Sequence, residues 1–227
     1  MSLISPADQQ RLRDTFAGMT RQVRLLFFTQ TLGCETCLQA RQILDEFPEL
    51  SDKVSIEEVN VILETEKTQQ YGIDRAPAVA VLYDDGELKD SHIRFLGTPA
   101  GYEFLSLVQA VLLAGGGPSM LSDESRRLIA SVDTPVTMHV FTTPTCPHCP
   151  RAVTLAHEMA FANPRITAFA VEATEFPDLA RRYQVTGVPK TVVNETTEIL
   201  GALPPDEFVS QALATFTEPP SDQPSSS

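Results

Sequence analysis

Two C-x-x-C motifs, Cys34–Cys37 and Cys146–Cys149, lie 112 residues apart in a chain of 227 residues. The same offset relates two further pairs of residues, Tyr71 with Tyr183 and Pro77 with Pro189. It falls to 104 for a Glu-Phe dipeptide near the end of each half, after an insertion in the first half. Chance identity at so many fixed positions is improbable, so the two halves are an internal duplication with one order of elements.

Each motif lies between a strand and a helix. An apolar, β-branched run over residues 136–142 precedes the second motif, and the helical spacing of Ala152, Leu155 and Met159 follows it. Each half has the order helix, strand, helix, strand, helix, strand, strand, helix. Strand–helix–strand units pair in parallel, and the final hairpin adds antiparallel strands. The sequence therefore predicts an α/β fold of two tandem units, each a mixed four-stranded sheet with helices on both faces.

We expect the first unit to cover residues 1–116 and the second residues 117–217, followed by a disordered Pro/Ser-rich tail at 218–227. The three glycines at 115–117 and the following Pro118 indicate a flexible linker between the units. A helix C-cap followed by a loop is the alternative, and the two are compatible. Pro48 is expected to end the helix that begins near Cys37.

Net charge and hydropathy exclude several classes of partner. The net charge is -13, so the chain offers no basic patch for nucleic acid or an anionic membrane. No run approaches the roughly 18 apolar residues of a membrane span, and residues 1–13 lack the apolar core of a signal peptide. These features predict a cytoplasmic protein in which the paired cysteines are catalytic and not structural.

In the second motif, Cys146 is the candidate nucleophile and Cys149 the candidate resolving thiol. A cysteine at a helix N-terminus is favoured as the thiolate because unpaired N–H groups and the helix dipole face it. His148 is the candidate that tunes the pKa of Cys146, with an exposed bystander as the alternative. Helix geometry predicts that Cys146 is accessible to solvent and that Cys149 is turned towards the protein body.

The first motif has less favourable neighbours. Glu35 directly follows Cys34, and a nearby carboxylate disfavours a thiolate. Cys34 and Cys37 are therefore expected to form a working but less activated redox pair, with a structural or vestigial pair as the alternative. Glu172, near the end of a strand, could accept the proton of a resolving thiol, although a surface charge or salt bridge is the commoner role of such a residue.

A C-x-x-C motif at a strand–helix junction, with a proline 43 residues after its first cysteine in both halves, resembles the thioredoxin fold. Two such units in tandem resemble the glutaredoxin-like protein disulfide oxidoreductases, and YQVTGVPK at residues 183–190 is similar to that family's sequence before its cis-proline. The resemblance covers residues 5–217. It implies two cis peptide bonds whose preceding residues present their backbone to an extended substrate segment. These pairs are Val188 with Pro189 and Ala76 with Pro77.

The sequence departs from related families at two points. No tryptophan precedes the first cysteine of either motif, where Gly33 and Thr145 stand, so ordinary thioredoxin is a weaker match. Glutaredoxins usually carry a Gly-Gly pair near the last strand for glutathione, and this chain has Gly201-Ala202 there. The resemblance therefore gives no support for glutathione binding.

The leading hypothesis is a thiol–disulfide oxidoreductase that acts on protein disulfides or dithiols and needs no cofactor of its own. The resemblance implies a thioredoxin-reductase-like flavoprotein as electron donor and a role in cell redox homeostasis. The alternative is a dedicated electron-relay module of a peroxide-reducing or flavoprotein reductase system. A four-cysteine metal site is disfavoured, because 108 residues separate the motifs where structural zinc sites have roughly 15–20.

Overall fold

The structure, a computed structural model, describes residues 4–216, and the tail at 218–227 lies outside the described residues. Within residues 4–216 the chain forms eight helices and eight strands, and none of these helices is long and apolar enough to cross a membrane. The helices are α1 (Pro6–Phe16), α2 (Cys37–Leu50), α3 (Thr65–Tyr71), α4 (Glu103–Ala114), α5 (Asp123–Ala130), α6 (Cys149–Ala162), α7 (Pro177–Arg182) and α8 (Pro205–Leu213). The strands are β1 (Gln22–Thr29), β2 (Val54–Asn60), β3 (Ala78–Asp84), β4 (Leu88–Leu96), β5 (Val136–Thr142), β6 (Ile166–Glu172), β7 (Lys190–Val193) and β8 (Thr197–Leu200).

Each unit contains a mixed four-stranded sheet. In the first unit β1 pairs with β2 in parallel and with β3 antiparallel, and β3 pairs with β4 antiparallel. Strands β5 to β8 repeat this pattern, which confirms the predicted fold class. The central strands β1 and β5 are buried over most of their length because both of their faces are covered.

The two sheets are joined into one. Strand β4 of the first unit pairs in parallel with β6 of the second, from Ile93 opposite Ala168 to Leu96 opposite Val171. The complete strand order is β2-β1-β3-β4-β6-β5-β7-β8. Apolar side chains fill the join, since Phe95 and Leu96 are 2% and 6% exposed. Backbone hydrogen bonds therefore connect the units directly, a feature that the sequence did not predict.

Helices cover both faces of this sheet. On one face, six helices contribute to a large core through side chains such as Phe47 of α2, Leu107 of α4 and Leu155 of α6. On the other face, the short helices α3 and α7 pack through Tyr71 and Leu179 over a smaller core. Because most helical stability comes from such packing, the core fixes α2 and α6, the two helices that begin at the C-x-x-C motifs.

The glycine-rich segment between the units caps α4. The carbonyl of Gly115 accepts hydrogen bonds from the N–H groups of Thr20 and Arg21. The N–H of Gly117 donates to the carbonyl of Leu112, and a Cβ atom at Gly117 would lie 2.7 Å from that carbonyl oxygen. The segment therefore has the C-cap and loop that the sequence offered as one interpretation, and it contacts the loop between α1 and β1.

The prediction that α2 ends before Pro48 is wrong. The helix runs to Leu50 with Pro48 inside its last turns. A proline removes one main-chain hydrogen bond and crowds the preceding turn. Phe47 and Leu50 are 0% and 5% exposed, and their burial holds the end of the helix in the core.

Candidate redox site

Both C-x-x-C motifs lie at the carboxyl end of a central strand. The first follows β1 and the second follows β5, and Cys37 and Cys149 are the first residues of α2 and α6. Each motif forms a disulfide, with Cα–Cα distances of 5.4 Å in the first unit and 5.5 Å in the second. The unpaired N–H groups of each helix start therefore lie next to a cysteine pair.

The two cysteines of the second site differ in their surroundings. Cys146 is 8% exposed and Cys149 is 0% exposed. The prediction of an accessible Cys146 is wrong for this disulfide form, because its sulfur is bonded to Cys149 and faces the start of α6; the order of the two exposures is as predicted. The N–H of Cys149 donates a hydrogen bond of 3.1 Å to Sγ of Cys146. A hydrogen bond to this sulfur favours the thiolate of the reduced form, which supports Cys146 as the nucleophile.

The first site is more open. Cys34 is half-buried, and Cys37 is 7% exposed. Within the described part of the chain, the N–H···S hydrogen bond across a C-x-x-C motif is found at the second site and not at the first. The first disulfide is therefore more accessible than the second. After reduction, the structure stabilises a Cys34 thiolate less than a Cys146 thiolate.

Both candidate prolines follow a cis peptide bond, Ala76–Pro77 and Val188–Pro189. They precede β3 and β7, the strands that pair with β1 and β5. The carbonyl of Pro77 accepts a hydrogen bond of 2.9 Å from the N–H of Gly97. The carbonyl of Pro189 accepts one of the same length from Gly201. The two prolines thus occupy the same place in both units, at the end of the sheet that carries the cysteines.

The residues between the paired cysteines face solvent. His148 is exposed at the start of α6, and its side chain makes no capping hydrogen bond within the described residues. Pro147 and Glu35 are exposed as well. The imidazole of His148 is therefore able to approach a Cys146 thiolate, as the sequence predicts for a tuning residue.

Glu175 of the second unit reaches the first C-x-x-C motif. Its carboxylate accepts hydrogen bonds from the hydroxyl of Thr36, between Cys34 and Cys37, and from the N–H of Thr98 over 2.7 Å. The sequence did not identify this residue, because the equivalent position of the first unit is Leu63. The contact exists because β6 pairs with β4, which brings the loop after β6 beside the start of α2. The first disulfide therefore lies near two carboxylates, Glu35 and Glu175.

Replacing Glu175 by glutamine is expected to make the first site more oxidising. The amide keeps an acceptor for Thr36 but removes a negative charge that disfavours the thiolate of the reduced form. Since one pKa unit corresponds to about 30 mV, we expect a rise of about 10–30 mV. A redox titration of the first pair, with Cys146 and Cys149 changed to serine, measures it. The exposed Glu207→Gln variant should leave this potential unchanged, and an unchanged potential in Glu175→Gln would contradict the argument.

The first unit in turn contacts the second active site. The N–H of Tyr102 donates a hydrogen bond of 3.0 Å to the carbonyl of Pro144, two residues before Cys146. Gly101 permits this approach, since its φ is +59° and a Cβ atom there would lie 2.2 Å from the same carbonyl oxygen. The start of α4 is therefore fixed against the loop that carries the second disulfide.

Glu103, the first residue of α4, is a buried carboxyl group near that loop. It is 3% exposed and lines a small cavity with Thr142, the last residue of β5, and Glu172. Burial raises the pKa of Glu103 to about 7, and the nearby Glu172 acts in the same direction. A carboxyl group with this pKa can give or take a proton at neutral pH. The one sequence signal for it was the Glu-Phe dipeptide that both halves repeat.

The expectation that Glu172 is a surface charge or forms a salt bridge is wrong. It is 4% exposed and lines the same cavity as Glu103. Its carboxylate accepts hydrogen bonds from the N–H and hydroxyl of Thr174 and from the N–H of Glu175. Glu172 therefore holds the loop that presents Glu175 to the first unit.

The remaining titratable residues show no second chemical centre. Burial lowers the pKa of His139 to about 4 and that of His157 to about 3, so both are neutral at pH 7. Between residues 4 and 216, no three His, Cys, Asp or Glu side chains form a group that could hold a metal ion.

Comparison with known proteins identifies relatives of both halves. The thioredoxin domain family matches residues 136–214. An alkyl hydroperoxide reductase protein of Escherichia coli is 30% identical over 156 residues, which are 69% of this chain and 27% of that protein. The chain therefore spans about a quarter of the length of the curated relatives that it matches.

Two solved structures match nearly the whole chain. A protein disulfide oxidoreductase from Aeropyrum pernix superposes with a TM-score of 0.83 and 29% identity over 93% of both chains. The NTD_N/C domain of the alkylhydroperoxide reductase AhpF from Enterococcus faecalis gives a TM-score of 0.84 and 28% identity, covering 91% of this chain and 98% of that domain. These likenesses confirm the tandem thioredoxin fold that the sequence predicts.

Proposed function

We propose that this tandem thioredoxin-fold chain is a thiol–disulfide oxidoreductase that exchanges dithiols and disulfides with other proteins. Cys146–Cys149 is the main site, and Cys34–Cys37 is a second, less activated site. The observation that carries the proposal is the repeated arrangement of a disulfide at a helix start, with a cis-proline at the same end of the sheet. The likeness to a protein disulfide oxidoreductase over 93% of both chains supports it.

In the reduced protein, the Cys146 thiolate attacks one sulfur of a substrate disulfide. The substrate S–S bond breaks, one substrate sulfur leaves as a thiolate, and a mixed disulfide forms. The Cys149 thiol then loses its proton and attacks Sγ of Cys146, which releases the second substrate sulfur and restores the protein disulfide. Two electrons pass to the substrate, whose two sulfurs take up protons. Since Cys149 is 0% exposed, the substrate meets Cys146 first.

The backbone beside each disulfide offers a place for an extended substrate segment. Val188 and Ala76, the residues before the cis-prolines, are half-buried and so retain contact with solvent. An extended peptide can pair with such a segment through main-chain hydrogen bonds. This mode of binding recognises an extended backbone more than a particular side chain, as a general oxidoreductase requires.

Turnover of insulin disulfides with dithiothreitol as the reductant tests the proposed function. We expect the protein to accelerate this reaction well beyond the rate of dithiothreitol alone. The control is a variant in which all four cysteines are replaced by serine. Equal rates with the wild-type protein and with this variant would refute the proposal.

Replacing His148 by alanine should raise the pKa of Cys146 and make the second site more reducing. The imidazole can stabilise the thiolate by charge or by a hydrogen bond, and alanine can do neither. A shift of about one pKa unit would lower the potential by about 30 mV. Thiolate absorbance against pH and a redox titration measure the two quantities. A Cys146 pKa that does not change would make His148 an exposed bystander.

A dedicated electron relay is the second candidate function. It is favoured by the likeness to the NTD_N/C domain of an alkylhydroperoxide reductase, which matches 98% of that domain. In this case the chain would pass electrons from a flavoprotein reductase to a peroxide-reducing partner. A dedicated relay should be reduced rapidly by its reductase and show little turnover of insulin, whereas a general oxidoreductase should show both.

A further inference from the structure

Exposed apolar side chains lie at the end of the sheet that carries the first disulfide. Between residues 4 and 216, five large apolar side chains are more than two-thirds exposed, and four of them follow β1 and β2 or begin α2. These four, which we name the apolar rim, are Leu32 (84%), Leu38 (71%), Ile62 (67%) and Leu63 (80%). They come from two adjacent loops and the start of α2, because β1 and β2 pair in parallel and end side by side. Exposed apolar side chains concentrated at one end of a sheet indicate an interaction site.

The apolar rim is presented by ordered backbone. The N–H groups of Ile62 and Leu63 donate hydrogen bonds of 3.0 and 3.1 Å to Oδ1 of Asn60. Leu38 lies in the first turn of α2. The backbone that carries Leu38, Ile62 and Leu63 is thus already ordered, so this protein would lose little backbone entropy when a partner binds them.

Among the described residues, the second site lacks the four equivalent apolar side chains. The equivalent residues, at the offset of 112, are Pro144, Pro150, Thr174 and Glu175. The loop that carries Thr174 and Glu175 is occupied, since Glu175 binds Thr36 and Thr98 of the first unit. The matching loop of the first unit lies at the free edge of the sheet, beyond which no described strand pairs. The duplication therefore did not keep these four apolar side chains at the second site.

The charged residues near the apolar rim indicate which kind of partner segment it binds. Glu35 and Glu66 are exposed beside the rim, and neither forms an ion pair within the described chain. Together with Glu175 they give this end of the first unit a negative potential. A partner segment with apolar side chains at its centre and basic residues at its ends would match both the rim and its border.

We propose that the apolar rim docks an electron-donating protein whose reactive cysteine lies in an apolar segment flanked by basic residues. This proposal rests on the proposed function. The neighbouring carboxylates disfavour the thiolates of the first site, which makes that site the more reducing of the two. Electrons should therefore enter at Cys34–Cys37 and pass on to Cys146–Cys149.

Reduction of the first disulfide uses two thiols of the partner, which supply the two electrons. Its first thiolate attacks Sγ of the half-buried Cys34, the Cys34–Cys37 bond breaks, and Cys37 leaves as a thiolate that takes up a proton. The partner's second thiol then attacks the mixed disulfide and releases Cys34. The partner is oxidised to a disulfide, and the first site is reduced to a dithiol.

Two short synthetic peptides test the docking surface. Each has one central cysteine and terminal lysines; apolar residues flank the cysteine in one peptide and serines flank it in the other. The reaction of each with Cys34–Cys37 is followed by acid quench and mass measurement in the 227-residue chain with Cys146 and Cys149 changed to serine. We expect the apolar peptide to react about tenfold faster, since a few buried apolar contacts carry most of the binding energy of an interface.

The Leu32→Ser/Leu63→Ser protein should lose this preference. The matched control is Leu88→Ser/Leu200→Ser, which removes two exposed leucines at the far hairpin and the far edge strand and should keep it. Equal rates for both peptides before substitution, or a preference that survives Leu32→Ser/Leu63→Ser, would overturn the docking proposal.

Reduction by dithiothreitol distinguishes a failure of docking from a failure of thiol–disulfide exchange at the first site. If dithiothreitol opens Cys34–Cys37 while the peptides react equally, docking alone fails; if it does not open this disulfide, exchange at the first site fails with it.

Discussion

Replacing Cys146 by serine should remove most insulin-reducing activity with dithiothreitol, by about tenfold or more, whereas Cys34→Ser should leave most of it. Both cysteines lie three residues before the first residue of a helix, so the difference must come from their neighbours. The N–H of Cys149 donates to Sγ of Cys146, and the exposed His148 lies one residue away from that donor. At the first site, Glu35 and Glu175 oppose a thiolate.

Accessibility alone would give the opposite ranking. Cys34 is half-buried in the disulfide form, whereas Cys146 is 8% exposed. If access to sulfur controlled the rate, Cys34→Ser would cause the greater loss of activity. The pair of serine variants therefore decides between thiolate stability and accessibility. Dithiothreitol is the required reductant for this comparison, because it is small enough to reduce the second site without entering through the first.

The sequence predicted the features that repeat or depend on local structure. The 112-residue offset between the motifs indicated two equivalent units, and the strand–helix junctions placed each motif at the start of a helix. The helices begin at the second cysteine of each pair, Cys37 and Cys149, and not at the first, where the sequence predicted the helix start. The cis peptide bonds before Pro77 and Pro189 followed from the family resemblance and not from physical argument, since a cis bond is uncommon before proline. Local sequence patterns were therefore enough to predict the cysteine pairs and the helices that follow them.

The positions of Glu172 and Glu175, which the sequence did not predict, depend on how the two units meet. No periodicity in the sequence indicates that β4 pairs with β6, so the two strands were expected in separate sheets. Without that pairing, Glu175 would be an ordinary loop carboxylate and Glu172 a surface charge. The pairing places the first beside Thr36 and buries the second. Long-range contact, and not residue type, determines what these carboxylates do.

Replacing Glu103 by glutamine should stabilise the protein at neutral and alkaline pH. Glu103 is 3% exposed, and burial raises its pKa to about 7 in the folded protein. In the unfolded chain its pKa is near the ordinary value of 4.5. The folded state therefore holds a proton that the unfolded state has lost between these two pH values. Above the folded pKa, the protein carries a buried charge that glutamine would not have.

The sign of the pH dependence follows from proton binding. Stability falls with rising pH wherever the folded state binds more protons than the unfolded state. The contribution of Glu103 is thus fully present below about pH 4.5 and lost as pH rises through about 7. With about 1.36 kcal/mol for each pKa unit, the wild-type protein loses about 3 kcal/mol from this group across the interval. For a chain of this size, that corresponds to about 5 °C or more in the melting temperature.

Thermal unfolding at about pH 5 and about pH 8 measures the effect as a double difference between Glu103→Gln and the wild-type protein. Groups outside this cavity, among them the buried His157 with its lowered pKa, titrate equally in both proteins and cancel. The matched control is Glu207→Gln, at the equivalent position of the second unit, where the side chain is exposed. We expect Glu103→Gln to gain stability at the higher pH relative to the lower, and Glu207→Gln to follow the wild type. If Glu103→Gln kept the wild-type pH dependence, the carboxylate would be ionised without cost in the folded protein, and water or a hydrogen bond would have to reach the cavity behind β5.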